Sequence, residues 1–127
     1  MTLGYIALWL AAFTVTQLVE IPIYLRFSVP GRFWIAFGAT GITHPVLWFV
    51  LIPAFRALAS PQMAASESSF VWACEVSIVV VEALWMRHWG GKWPWAVALG
   101  ANGASYLIGE VIWKLVPPAA VARVLAG

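Results

Sequence analysis

The first apolar stretch of the chain, residues 3–26, reads LGYIALWLAAFTVTQLVEIPIYLR. Glu20 is its one charged side chain before Arg26 ends it. A helix needs about 20 predominantly apolar residues to cross the hydrocarbon layer of a bilayer. The stretch therefore predicts a membrane-spanning helix over residues 3–25, and Glu20 is the feature inside it that a function has to explain.

Three further segments have the same character, at residues 33–55, 69–86 and 93–116. Two short connections, residues 26–32 and 87–92, each contain Gly or Pro, so each joins two neighbouring helices into an antiparallel hairpin. The predicted fold class is an all-α integral membrane protein with four transmembrane helices arranged as two tandem helical hairpins.

The composition of the chain excludes several classes of protein. Of its 127 residues, 63% are hydrophobic and 9% are charged, whereas an ordinary soluble domain carries about 25% charged residues. A soluble globular enzyme, a disordered chain and a nucleic-acid-binding domain are therefore excluded. The basic residues sit singly at the ends of apolar runs, which is typical of interfacial anchors and not of a nucleic-acid surface. The single Cys74 excludes an intramolecular disulfide.

The two halves of the chain resemble each other. Val19-Glu20 recurs as Val81-Glu82, and the hexapeptide GATGIT at 38–43 recurs as GANGAS at 100–105, both 62 positions later. We predict one transmembrane domain over residues 1–127, built as repeat 1 (1–56), a linker (57–68), repeat 2 (69–116) and a tail (117–127). Each half holds two spans, so the copies share one orientation and form a parallel internal repeat.

Small residues and prolines within the spans predict how the helices pack. Close backbone approach through small residues drives helix association in lipid, so the glycines are expected to make the second and fourth helices the packing centre. Prolines inside spans free backbone carbonyls that neighbouring groups must satisfy. The glycines concerned are Gly38, Gly41, Gly100, Gly103 and Gly109, and the prolines are Pro22, Pro45 and Pro53.

Polar side chains recur at matched depths of the predicted bundle. Glu20 and Glu82 lie six and five residues before the basic ends of their spans, so the repeat brings one carboxyl from each half to one level. A charge at the bilayer centre costs about 2.5–3.5 kcal/mol, which makes such carboxyls candidates for function. His44 and Glu75 lie deeper. The supporting polar residues expected on the same inner faces are Gln17, Thr40, Thr43, Asn102 and Ser105.

These residues predict proton or cation binding. Two carboxyls at one level in a low dielectric cannot easily both ionise, so one proton is expected to be shared between them. His44 near Glu75 is expected to act as an opposite charge or as a proton relay. A purely structural, protonated pair is the alternative. Glu110 is expected to pair with Lys114 at i,i+4.

Three functions remain open on this pattern. The first is proton- or cation-linked transport or conduction, with Glu20, Glu82, Glu75 and His44 as the binding candidates. The second is a non-catalytic assembly or anchoring subunit of a membrane complex. The third is a metal-dependent membrane enzyme with a transition metal at His44, Glu75 and Glu82, which the absence of a Glu-x-x-His or His-x-x-x-His spacing disfavours.

The expected surroundings of the protein follow from the same features. No cofactor and no catalytic residue is predicted. The expected partners are the lipid bilayer, a small cation or proton, and a second copy of the chain or another subunit of a membrane complex. The basic flanks favour the cytoplasmic (inner) membrane, with the short loops 26–32 and 87–92 in the cytoplasm.

Overall fold

The described part of the chain is all-helical in architecture, with short non-helical connections between the helices. A computed structural model describes residues 2–58, 67–117 and 119–121, and contains no strand within them. Its four long helices are α1 (Leu3–Phe27), α2 (Phe33–Leu58), α3 (Glu67–His88) and α4 (Pro94–Leu115).

Three of these helices are long and apolar enough to cross a membrane, namely α1, α2 and the Ser69–His88 part of α3. The helix α4 has 22 residues but is not one of the three, because Asn102, Ser105 and Glu110 lower its hydropathy. The prediction of an all-α fold is confirmed for the described residues, and the three apolar helices support the predicted membrane association. That all four helices span, as two tandem hairpins, stays a prediction.

The helices run beyond the apolar segments that predicted them. The helix α2 continues to Leu58 and α3 begins at Glu67, so the expected linker 57–68 is helical at both ends. Its residues 59–66, and residues 118 and 122–127 of the expected tail, lie outside the described residues. The prediction stopped too early because a helix needs only its backbone hydrogen bonds, and these form as readily in the interfacial region as in the apolar layer.

Each helix packs against two others. The helix α1 contacts α2 and α4, and α3 contacts the same two helices. The core lies toward the end where the short connections are, and its fully buried members include Tyr24, Val29 and Met86. At that end the Lys92 amide donates to the Ser28 carbonyl at 3.0 Å, which joins the two connections directly.

Alanine, and not glycine, forms the close helix contacts of α4. Ala98 and Ala101 are fully buried. A Cβ added at Gly100, Gly103 or Gly109 would meet no described atom within 4 Å. The expectation that these three glycines mark the packing centre is therefore wrong. Gly100 and Gly103 are exposed on the outer side of α4, away from the buried alanines, whereas Gly109 lines the central cavity.

Pro53 leaves a backbone carbonyl that another helix satisfies. Residues Leu47–Leu51 of α2 form a π-helical turn, in which each N–H bonds the carbonyl five residues back. Trp48 lies five residues before Pro53, which has no N–H to offer. The Tyr5 hydroxyl of α1 donates to the Trp48 carbonyl at 2.6 Å instead. The expectation that a neighbour satisfies a carbonyl freed by an intramembrane proline is met here.

The tight contact between the short connections predicts a stability effect at Gly91. A Cβ at this position would lie 2.5 Å from Ser28 Oγ and 2.8 Å from the Met86 carbonyl oxygen. We expect Gly91→Ala to lower the free energy of unfolding by about 1–3 kcal/mol through overpacking, measured as thermal unfolding in detergent. Gly100→Ala is the matched control, and an equal loss in both variants would contradict the packing at Gly91.

Candidate functional site

Two carboxyl groups lie in the interior shared by the four helices. Glu20 of α1 has a relative exposure of 1% and Glu82 of α3 of 0%. Neither side chain is near the end of its helix. The two carboxyls are close enough to interact electrostatically.

Glu20 accepts hydrogen bonds from two other helices. The Thr40 hydroxyl of α2 donates to Glu20 Oε2. The Ser105 hydroxyl of α4 donates to Glu20 Oε1 at 2.6 Å. Each carboxyl oxygen therefore has one hydroxyl partner, and both partners are neutral.

Glu82 accepts three hydrogen bonds, one from each of the other helices. The Tyr24 hydroxyl donates to Glu82 Oε2 at 2.5 Å, and the Asn102 amide donates to the same oxygen at 2.6 Å. The Thr43 hydroxyl donates to Glu82 Oε1 at 2.8 Å. Glu82 thereby connects α3 to α1, α2 and α4 through a single side chain.

The contacts of the two carboxyls correspond to each other. Within the pairs of helices joined by short connections, Thr40 bonds Glu20 and Asn102 bonds Glu82. Between the pairs, Ser105 bonds Glu20 and Thr43 bonds Glu82. An offset of 62 positions turns each contact into its counterpart. Because Thr40 and Thr43 are one helical turn apart, as are Asn102 and Ser105, the two carboxyls lie side by side.

The described surroundings of this pair contain no cationic side chain. All six described Lys and Arg residues are exposed and lie near helix ends or in the short connections. The donors to Glu20 and Glu82 are three aliphatic hydroxyls, one phenol and one amide. Neutral donors can share a charge but cannot balance it. An ionised pair here therefore needs a cation from outside, and an un-ionised pair needs protons.

A cavity of about 400 Å³ reaches the carboxyls. Glu20, Thr40, Glu82 and Asn102 line its deep end. From there its lining continues toward the helix ends remote from the short connections, at Leu8, Ile52, Val71 and Val116. On the other side of the carboxyls, the side chains of Tyr24, Val29 and Met86 are fully buried.

His44 and Glu75 line the same cavity but do not form the expected pair. His44 lies between the rings of Phe13 and Trp48, with centroids 5.4 and 6.0 Å away. Its buried Nδ1 has no hydrogen-bond partner in the described structure. Glu75 likewise makes no hydrogen bond or ion pair with any described residue. The predicted contact between the two is therefore wrong, because aromatic packing holds the imidazole against α1.

Gln17 and Glu110 also lie apart from the carboxyl pair. Gln17 Nε2 donates to the Phe37 carbonyl at 3.3 Å, so this side chain belongs to the contact between α1 and α2 and does not line the cavity. The expectation that it joins the inner polar face is wrong. Glu110 pairs with Lys114 at 3.7 Å, as predicted.

Tyr24 is a member of the site that the sequence did not single out. It is fully buried, donates to Glu82 and accepts from the Asn102 amide at 3.3 Å. Its position continues the stripe of Gln17 and Glu20 at i,i+3,i+7, which is the signal that could have found it. From sequence alone, a tyrosine near a predicted helix end is usually interpreted as an interfacial anchor.

The expected metal ligands do not come together. Within residues 2–58, 67–117 and 119–121, no group of three or more His, Cys, Asp or Glu is placed to hold a metal ion. His44, Glu75 and Glu82 all line the cavity, yet they form no such group. The donor set at the carboxyl pair, made of hydroxyls and one amide, suits protons better than a transition metal.

Comparison with known proteins gives no match, whether to a protein-family model, to a curated protein or to a solved structure. What the chain does therefore has to follow from the chemistry and geometry of its own site.

The hydrogen bonds of the pair predict unequal effects of removing either carboxyl. Glu82→Ala removes the acceptor of three buried hydrogen bonds, whereas Glu20→Ala removes the acceptor of two. Thr43, Asn102 and Ser105 keep backbone carbonyls as acceptors. At about 0.5–1.5 kcal/mol for each hydrogen bond lost, we expect both variants to lose stability and Glu82→Ala to lose more. Thermal unfolding in detergent measures this. Glu110→Ala is the surface control, and a loss there as large as for Glu82→Ala would contradict the site.

Proposed function

We propose that this chain is a small transporter that binds and releases protons or small cations at the Glu20–Glu82 pair. The observation that carries the proposal is the burial of two adjacent carboxyls among neutral donors, with every described Lys and Arg side chain exposed. Such a pair is neutral only when it holds protons or a cation, so its occupancy is a chemical requirement of the fold.

Because the Glu20 and Glu82 carboxyls are neighbours, the pair can change its protonation state in steps. Two carboxyls in a low dielectric lose their protons in separate steps that belong to the pair and not to either residue. The five donors stabilise a single negative charge by hydrogen bonding. The pair is therefore suited to exchange one proton for one monovalent cation, which is a sufficient coupling step for transport.

The one-sided cavity supports a carrier more than an open pore. It connects the carboxyls with the end remote from the short connections, while packed side chains close the other end. A carrier exposes its site to one side at a time. In this proposal the present structure is the state open to one side, and Tyr24, Val29 and Met86 form the closed barrier.

The corresponding contacts of the two carboxyls support an internal duplication. We propose four membrane-spanning helices in two tandem hairpins, α1–α2 and α3–α4, related by an axis along the membrane normal. The hydrogen bond from Thr40 to Glu20 corresponds to the one from Asn102 to Glu82. In the same way, the hydrogen bond from Ser105 to Glu20 corresponds to the one from Thr43 to Glu82. Chance recurrence of small-residue motifs would not produce this crossed set of hydrogen bonds.

The orientation in the membrane is part of the proposal. The short connections contact each other through Ser28 and Lys92, and Arg32 donates to the Trp89 carbonyl. Four basic residues thus lie at one end: Arg26, Arg32, Arg87 and Lys92. The positive-inside tendency favours the cytoplasm for this end and a cytoplasmic (inner) membrane for the protein.

Proton movement in proteoliposomes tests the function. We expect the purified protein to dissipate an imposed pH gradient, and Glu20→Gln or Glu82→Gln to reduce the rate at least tenfold, because an amide cannot exchange a proton. Glu110→Gln is the matched control, since Glu110 lines the cavity only toward its remote end, is exposed there and pairs with Lys114 and not with the carboxyl pair. The same flux in all four proteins would overturn the proposal and favour the assembly subunit.

A further inference from the structure

A second cavity adjoins the first. It is a groove of about 340 Å³ on the outer side of α3 and α4. Three side chains line both the groove and the central cavity, namely Glu75, Asn102 and Tyr106. Glu75 belongs to α3 and the other two to α4, so the boundary between the two cavities runs along the contact of these helices.

Glu75 is the one carboxyl on this boundary, and nothing described neutralises it. It is half-buried and makes no hydrogen bond or ion pair with any residue that the structure describes. It lies eight residues after the first residue of α3 and twelve residues before Arg87, about 12 and 18 Å along the helix. An unpaired carboxyl beside lipid is unfavourable unless it stays protonated or meets a cation.

The walls of the groove are those of a lipid-facing surface. Apart from two tryptophans, the side chains in its lining that carry polar atoms are Glu75, Asn102 and Tyr106. Leu99 and Leu107 are 64% and 65% exposed on α4. Trp72 and Trp95 also line the groove, and the face of an indole attracts a cation. The groove thus offers apolar contact, aromatic faces and one carboxyl.

We infer that the substrate is a monovalent lipophilic organic cation that enters the central cavity from the hydrocarbon layer, between α3 and α4, with Glu75 as its first charged contact. This inference rests on the proposed transport function and names the substrate class. The side chains shared by the two cavities supply the route, and Glu75 supplies the charge complementarity.

The chemistry of the route selects against small inorganic ions. A metal ion or ammonium is strongly hydrated and needs several oxygen ligands to replace its water. The groove offers one carboxyl and one amide among apolar walls. A cation whose charge is shielded by hydrocarbon loses little hydration, partitions into the membrane and buries apolar surface on entry. Both cavities also fall in the volume range of small-molecule sites, about 300–1,000 Å³.

Glycine at position 103 keeps the route open. Gly103 lines the groove, and a Cβ there would meet no described atom within 4 Å. Gly100 lies one turn earlier, is equally unobstructed, and lines neither cavity. A larger side chain at position 103 therefore fills the route without displacing the protein, and the same change at position 100 controls for added bulk on the outside of α4.

Equilibrium binding of tetraphenylphosphonium to the protein in lipid nanodiscs tests the inference, with choline as a cation of equal charge and little apolar surface. We expect tetraphenylphosphonium to bind at least tenfold more tightly than choline. Glu75→Gln and Gly103→Leu should each weaken its binding at least tenfold, and Gly100→Leu should leave it unchanged. Thermal unfolding of each variant verifies that the fold is intact.

The outcomes separate this inference from the proposed function. Binding that Glu75→Gln and Gly103→Leu leave unchanged would overturn the lateral route. No binding of tetraphenylphosphonium, or binding no tighter than that of choline, would overturn the substrate class. Neither result affects proton movement through Glu20 and Glu82, which the gradient assay measures independently. Loss of that movement with intact tetraphenylphosphonium binding would reject the proposed function alone.

Discussion

The burial of two carboxyl groups without a counter-charge from any described residue is the constraint on which the rest of this structure depends. An apolar interior surrounded by lipid gives no solvation to an ionised group. Glu20 and Glu82 are tolerated there because five neutral donors surround them. Each helix contributes at least one donor or carboxyl. The polar groups that make the site possible are therefore the same groups that connect the helices, so binding chemistry and helix packing cannot be separated.

This arrangement gives a physical route from proton exchange to movement. Two hydrogen bonds connect one pair of helices with the other, namely those from Ser105 to Glu20 and from Thr43 to Glu82. The hydrogen bonds that Thr40 and Asn102 donate to the carboxyls stay within a pair of helices. Hydrogen bonds to a charged carboxylate are stronger than those to a neutral one. A change of occupancy at the pair would therefore alter the bonds between the two halves, which is where a carrier must move to close its open end.

The outer face of α4 differs from its inner face in what its small residues do. Ala98 and Ala101 allow close packing inside. Gly100 and Gly103 face open space outside. The absence of a side chain at such positions leaves a depression on the outer face of α4, and Gly103 and Glu75 line the same groove. Small residues in a membrane helix can thus shape a path for a ligand as well as a contact between helices.

The sequence by itself determined the helical membrane character, the short connections, and the two carboxyls with four of their five donors, because apolar run length and helical periodicity are local properties. Tertiary structure alone decided that Tyr24 completes the site, that His44 packs among aromatic rings instead of meeting Glu75, and that Gly100 and Gly103 of α4 face outward. A helix pattern fixes which side chains share a face, but the rotation of each helix against its neighbours sets which faces meet.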